Sequence, residues 1–444
     1  MDSKTAQEAY ENDRKHVLHS WSVQTKLDPL VVDKAEGVYF WTADGKRYLD
    51  LASQLVNQNI GHQHPKVVKA IQDQAAKLCF VAPGIAAEPR STLAKLLSEV
   101  APANINRFFF TNAGADANEN AVKIARAVTG KSKILARYRS YHGSTYGAIS
   151  LTGDPRRPPV EPGIPGVVRI PDYYPYHDGY APDDDAYADK VLAATEEVIQ
   201  MESASTIAAL IVEPVVGSNG ILIPSVRYFQ GLRALCDKYK ILLIADEVMS
   251  GFGRTGTWFA VDNFGVQPDL LTMAKGINSG YVPLGAVGVS DAIGQYIEDK
   301  MLYCGLTYSG HPLACAAAVA TIQAYRDEKI IENAAAQGKT LSKILADLKA
   351  KHPSVGDARN IGLFGGIELV KNQKTREGLV PWNTTGPMNA AVQKKFLENG
   401  AYVYTRWNYI FVVPPLIITD TQMVEAASIL DKGLSVADTF VGAS

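Results

Sequence analysis

The chain has 444 residues, 47% hydrophobic and 20% charged, with 36 glycines and 23 prolines. This is a globular composition, too long for one core, so two domains or three are expected. A balance of 44 Lys and Arg against 46 Asp and Glu, net −2, argues against a general nucleic-acid binder or a polycation for membrane surfaces. Four cysteines (Cys79, Cys236, Cys304 and Cys315), with no C-x-x-C pair, argue against a disulfide framework or a zinc knuckle.

In chain order, residues 1–20 are too polar for the apolar region of a signal peptide. The most apolar stretch, 313–320, is far shorter than the roughly 20 residues of a membrane span, so a cytoplasmic protein without a membrane partner is expected. Residues 38–50 read as a hairpin turning at Asp44-Gly45. Strands are expected at 107–112 and 133–138, with a helix between them carrying Ala121, Ile124, Ala125 and Val128 at one face. The Tyr/Pro/Asp-rich stretch 171–185 reads as a surface loop. An apolar run at 205–215 ends near Glu213. A helix at 225–240 begins at Ser225 as N-cap, and further strands are expected at 241–248, 268–275 and 285–290. Beyond 325 the pattern changes to long amphipathic helices with short strands at 401–405 and 410–413, and the last helix opens on a capping box, Thr419 to Gln422. Continuous apolar strands alternating with helices imply an α/β fold, a mostly parallel sheet covered on both faces. The expected division is a large domain at 60–325, a smaller α+β domain at 326–444, and an N-terminal segment 1–59 that joins the smaller domain and covers the site.

Three motifs mislead. Gly251-Phe-Gly-Arg-Thr-Gly256 satisfies G-x-G-x-x-G after a strand, but the adjoining residues TWFAVDNFG do not open a helix, so a dinucleotide lacks its helix N-terminus. AQGKT at 336–340 has Asn333 where a P-loop needs glycine. His62 and His64, without a third ligand nearby, read as turn and capping residues, so no metal is expected.

Chemistry gathers instead where an open α/β sheet places ligands, at strand carboxyl ends. Gly114 begins a helix after 107–112, and free N–H groups there suit a phosphate. Asp246 closes an apolar strand; it either meets a cation or remains a partly solvated loop carboxylate. Lys275 directly follows another buried strand, and is either an amine with access to its neutral form or a lysine reaching for solvent. Tyr141, after the strand 133–138, offers an aromatic face. Together they supply what pyridoxal 5′-phosphate requires: an amine for its aldehyde, a carboxylate for its pyridine nitrogen and a cup for its phosphate.

The segments FTNAGADANENAVKIAR, RSYHGSTYGA, IVEPVVGSNG, LLIADEVMSGFGRTG, TMAKGINSGYVPLGAV and TYSGHPLACAAA resemble, in order, those of the class III (ω-) aminotransferases, pyridoxal-phosphate enzymes of fold type I. The resemblance runs from about residue 30 to the final helix, and it absorbs GFGRTG into the family's own pattern. It implies Lys275 as the Schiff-base lysine and Asp246 as partner of the pyridine nitrogen, with Val248 and Tyr141 on opposite faces of the ring. His142 belongs to the same cofactor-binding set. Gly114 and Ala115 would bind phosphate through backbone N–H groups, Glu213 would lie on the cofactor's 3′-oxygen side, and Thr307 would reach the phosphate of a neighbouring subunit in a homodimer. On the substrate side it implies Trp21 over the channel, Leu55 and Val56 shaping the pocket, and Arg406 pairing with an acceptor's carboxylate, although the spacing from Arg406 to Pro414 is two residues short of the family pattern. A surface arginine is the plain alternative.

The expected reaction is ping-pong transfer from an ω-amino acid or primary amine to a keto acid, pyruvate being favoured. A fold type I decarboxylase or aminomutase would share Lys275 and Asp246. A dehydrogenase using GFGRTG, or a binding protein without catalysis, are the other readings.

Overall fold

In a computed structural model, which describes residues 1–442, the apolar runs become one seven-stranded sheet. Across it lie Ile105–Thr111, Gly285–Ser290, Leu270–Met273, Leu242–Asp246, Ile207–Val212, Lys133–Arg137 and Val167–Ile170. All neighbours pair in parallel except Gly285–Ser290, which runs antiparallel to both of its partners. The reason is the connection: 274–284 carries only a helical turn, too little for the crossover that a parallel neighbour requires. Ile207–Val212 and Gly285–Ser290 are buried at every residue, as expected of strands covered on both faces. The edge strand Val167–Ile170 was not anticipated, its four residues being too few to show a period.

The helix Gly114–Thr129 buries Ala121, Ile124 and Ala125 against this sheet. Ser225 caps Val226–Tyr239, its hydroxyl accepting from Tyr228 N at 3.2 Å. No helix among the described residues is long and apolar enough to cross a membrane.

The ends of the chain meet. The hairpin strands Tyr39–Thr42 and Arg47–Asp50 are preceded by Val32–Glu36, and Leu49 and Asp50 pair in parallel with Ala401 and Tyr402. A helix at Ser3–His16, with no buried residue, was not foreseen. The run expected as a single strand at 401–405 is divided: Ala401–Tyr402 joins the N-terminal hairpin, while Tyr404–Arg406 pairs with Tyr409–Val412 in a second antiparallel sheet with Val355–Ile361 and Phe364–Asn372. The stretch 171–185 is not simply a surface loop. Tyr173 and Tyr174 are buried, because the Tyr174 hydroxyl donates to Glu368 and lies 3.2 Å from that of Tyr409, tying the segment to the C-terminal sheet.

Arg254, the arginine of GFGRTG, is wholly buried. It donates to Pro414 O at 2.6 Å, Leu363 O at 3.1 Å, Asn59 Oδ1 at 2.9 Å and Ser53 Oγ at 3.2 Å. The motif is therefore a clamp joining three distant parts of the chain, and Gly253 and Gly256 adopt φ of +88° and +84°, the left-handed region that suits glycine.

Candidate active site

The carboxyl ends of the strands Ile105–Thr111, Lys133–Arg137, Ile207–Val212, Leu242–Asp246 and Leu270–Met273 open on a cavity of about 610 Å³, whose walls include Gly114, Tyr141, Glu213, Asp246, Val248 and Lys275. A larger cavity, about 890 Å³, lies between Tyr176, Leu222, Val226 and the segment 342–360, and holds none of these residues.

Lys275 follows its strand at φ +44°, a conformation costly for a side chain with Cβ and of the kind retained at functional sites. Burial pulls its ammonium down to about 8, against the opposing charges of Asp246 and Glu213. An amine so placed is partly neutral near physiological pH and can attack a carbonyl.

Asp246 is 3% exposed. Its Oδ2 receives Asn118 Nδ2 at 2.8 Å and His142 Nδ1 at 2.7 Å, and its Oδ1 receives Val248 N at 3.1 Å. Asn118 is itself oriented, donating to His142 O at 2.7 Å and accepting from Thr272 Oγ1 at 2.8 Å. Three donors satisfy the carboxylate in a buried place. Glu213 is held differently: Tyr141 N and Gly217 N donate to its two oxygens at 3.0 and 2.7 Å, while burial still raises its pKa.

Gly114 begins its helix after Ala113, which supplies no side-chain cap, so the first amides there are free to meet an anion. A Cβ on Gly114 would stand 2.7 Å from Val248 Cγ1; glycine is required for the helix start to approach the strand Leu242–Asp246. Ala115 presses against Gly143 in the same way, at 2.5 Å from a Cβ placed there. Across the cavity, the Tyr141 ring is met by Trp21 edge-on at 6.2 Å and by the Arg156 guanidinium at 3.6 Å.

The substrate-side residues scatter more widely. Leu55 is 65% exposed at the cavity rim. Val56 does not line the cavity: it is buried in the core, because Ser53, Gln54 and Val56 all take positive φ and the chain turns its side chain inward. Thr307 is exposed in the loop before Pro312–Asp327 and lies outside this chain's own cavity. Arg406 is mostly buried, with Nη2 3.3 Å from Asp154 Oδ2 and Nη1 3.3 Å from Ser218 O; it is not a free surface arginine. Sequence reasoning missed Asn118, Asp154, Arg156 and Ser218. The one available signal was that Asn118 lies one helical turn from Gly114.

Residues 21–434 match the family model of class-III aminotransferases. The chain is 36% identical over 417 residues to a putrescine–pyruvate aminotransferase of Pseudomonas aeruginosa, covering 91% of this chain and 90% of the relative. It is 34% identical over 451 residues to a taurine–pyruvate aminotransferase of Bilophila wadsworthia, covering 97% of each. Among solved structures, taurine:2-oxoglutarate aminotransferase from Bifidobacterium kashiwanohense, in complex with PLP and glutamate, superimposes with a TM-score of 0.96 at 45% identity, over 99% of this chain and all of that one. The chain belongs to the class-III aminotransferases, and its fold is that of their pyridoxal-phosphate enzymes.

Proposed function

We propose that the chain uses pyridoxal 5′-phosphate to move an amino group from an ω-amino acid or primary amine to a keto acid, pyruvate, in two half-reactions of a ping-pong cycle. The carrying observation is Lys275, strained at φ +44° and with its amine drawn down to about 8, in one cavity with the buried, triply hydrogen-bonded Asp246. The residues fit the cofactor: an amine, a buried carboxylate, an uncapped helix start, and Val248 and Tyr141 as walls for a planar ring.

Bound there, the cofactor supplies an aldehyde for amines and a ring that withdraws electrons from the carbon bearing the amine. In this reading Lys275 Nζ takes the proton from that carbon and later returns one, acting as general base and then general acid. Asp246 holds a positive charge at the floor of the cavity, and His142 and Asn118 keep its oxygens aimed. The amides of Gly114 and Ala115 take the phosphate, helped by the helix dipole, and Thr307 serves the neighbouring subunit of a homodimer. Residues 1–59 cover the site and join 326–444, beside a cofactor-holding domain at 60–325; the pairing of Leu49 with Ala401 supports this division.

A second acceptor, 2-oxoglutarate, is favoured by one observation: the solved structure that superimposes at 45% identity is a taurine:2-oxoglutarate aminotransferase. The deciding experiment offers putrescine, taurine and β-alanine to the purified enzyme with pyruvate or 2-oxoglutarate, and measures alanine and glutamate. Alanine formed from pyruvate supports the reading, and glutamate formed without alanine selects the second acceptor in its place. Carbon dioxide release without any amino acid formed points to a decarboxylase and overturns it.

A further inference from the structure

One short turn, 216–222, contributes to two cavities. Val216 and Leu222 close it, each amide donating to the other's carbonyl at 3.0 and 3.1 Å. Within it, Gly217 N holds Glu213 Oε2 at 2.7 Å and Ser218 lines the reaction cavity. Leu222, with Ile223 beyond it, lines the cavity of about 890 Å³. Arg359, on the strand Val355–Ile361 and also part of that larger cavity, donates to Gly220 O at 2.7 Å and Ile221 O at 2.9 Å. The turn is thus gripped from the larger cavity while it positions Glu213 in the smaller one.

The larger cavity has the size of small-molecule sites, about 300–1,000 Å³. Ser342, Ala346 and Lys349 lie at helical spacing on an exposed face of the helix Ile330–Lys351 and form one wall. Leu222, Ile223 and Val226 supply apolar surface. Every cation of the lining is already paired. Arg227 has Asp189 at 2.7 and 2.8 Å, Lys349 has Asp357 at 3.0 Å, and Arg359 has Asp357 and Glu368 at 2.6 and 3.0 Å. Asp183 and Asp185, which also line the cavity, form no ion pair among the described residues. Both stand at the start of the helix Asp185–Met201, whose N-terminus offers only about half a positive charge. The lining therefore combines apolar surface with an excess of negative charge. The Tyr176 hydroxyl, on a residue of the same lining, is buried without a hydrogen-bond partner.

We propose that this cavity is a regulatory site for an organic ammonium with an apolar body. The ammonium meets Asp183 and Asp185, and the apolar body lies against Leu222, Ile223 and Val226. Such a ligand braces the turn 216–222 against the C-terminal helix and strand, opposing their relative movement. Its occupancy slows turnover from outside the reaction cavity.

The test uses the holoenzyme and phenethyltrimethylammonium, a quaternary cation that cannot condense with an aldehyde. Calorimetry should show saturable binding, one per chain, and no binding of 3-phenylpropionate, which carries the opposite charge. Asp183→Asn with Asp185→Asn should weaken the cation by about fivefold or more. Ala346→Trp, which fills the cavity from an exposed helix position, should abolish binding and leave turnover without the probe unchanged. At saturation the probe should lower kcat about twofold or more in the wild type, with no effect in Ala346→Trp. No saturable binding, equal binding of the anion, binding that survives Ala346→Trp, or saturation without a fall in kcat overturns the proposal. Each of these leaves the aminotransferase reading standing, whereas a holoenzyme that transaminates no donor overturns that reading. A larger assembly by light scattering that Ala346→Trp dissociates would make the cavity a contact between copies and also overturns the proposal. Thermal midpoints show that the variants are folded; if Ala346→Trp is not, Ser342→Trp on the same face carries the comparison.

Discussion

His142 Nδ1 and Asp246 Oδ2 are 2.7 Å apart, both side chains sealed from solvent. Asn118 Nδ2 reaches the same oxygen at 2.8 Å, so this oxygen is saturated while Oδ1 carries only the amide of Val248. The carboxylate therefore has one oxygen fixed and the other free to take a further donor from the cavity.

Asp246→Asn replaces that acceptor by an amide and places N–H groups against two existing donors. Turnover is expected to fall by about a hundredfold or more, with cofactor still bound. Asn118→Ala removes one of the bonds, worth about 1.5–3 kcal/mol when the acceptor is charged, and its loss should be smaller. Single-turnover measurements of each half-reaction rank the two; equal, unaltered rates would make Asp246 a structural carboxylate.

Lys275 titrates at about 8, lowered by burial, so its reactive neutral form grows as pH rises through that value. The cofactor-free enzyme should take up pyridoxal phosphate faster as pH rises, levelling above about pH 9. The loaded enzyme is expected to be yellow, with borohydride fixing the cofactor to Lys275. Uptake that keeps rising toward the range of a free lysine, or label on another lysine, contradicts the role.

Glu247, buried beside Asp246, accepts from Ser250 Oγ and from Val261 N at 2.8 Å, yet burial pushes its carboxyl up to about 7. The folded protein then holds a proton that the unfolded chain, with an ordinary carboxyl near 4.5, has released. This contribution is present below the unfolded value and is lost as pH rises through about 7, on the order of 3 kcal/mol in all. Denaturant melts at pH 5 and pH 8 should show the loss in the wild type and a flatter profile in Glu247→Gln. Parallel profiles would mean that Glu247 ionises normally.

Thr307 is exposed on a loop that also bears the exposed side chains of Met301, Tyr303 and Tyr308. So much apolar surface in one segment suits a contact with a second copy. The smallest active species should be a homodimer by light scattering under assay conditions, and Thr307→Ala should weaken cofactor retention. An active monomer refutes the shared site.

Local pattern alone determined the apolar strands around Asp246 and Lys275, the helix beginning at Gly114 and the capped helices, because their signals lie within a few neighbouring residues: uninterrupted apolar runs, helical spacing, a serine or threonine at the first turn. Gly114, Tyr141, Asp246 and Lys275 were legible in the same way, since each lies at or shortly after the carboxyl end of a strand and strand ends converge in an α/β sheet; His142, Val248, Glu213 and Thr307 entered through the resemblance of whole segments. Only the tertiary structure decided the rest. The antiparallel course of Gly285–Ser290 depends on what a short connection can span. The division of 401–406 between two sheets, and the burial of Tyr174, depend on partners far away in sequence. Val56 has an apolar side chain suited to a pocket or a core alike, and the positive φ values around it chose the core. Arg156 and Arg406 are separated by most of the chain, and no periodicity reports that both turn toward Asp154. That meeting is long-range electrostatics, fixed only when the fold brings one buried carboxylate and two guanidinia to the same place.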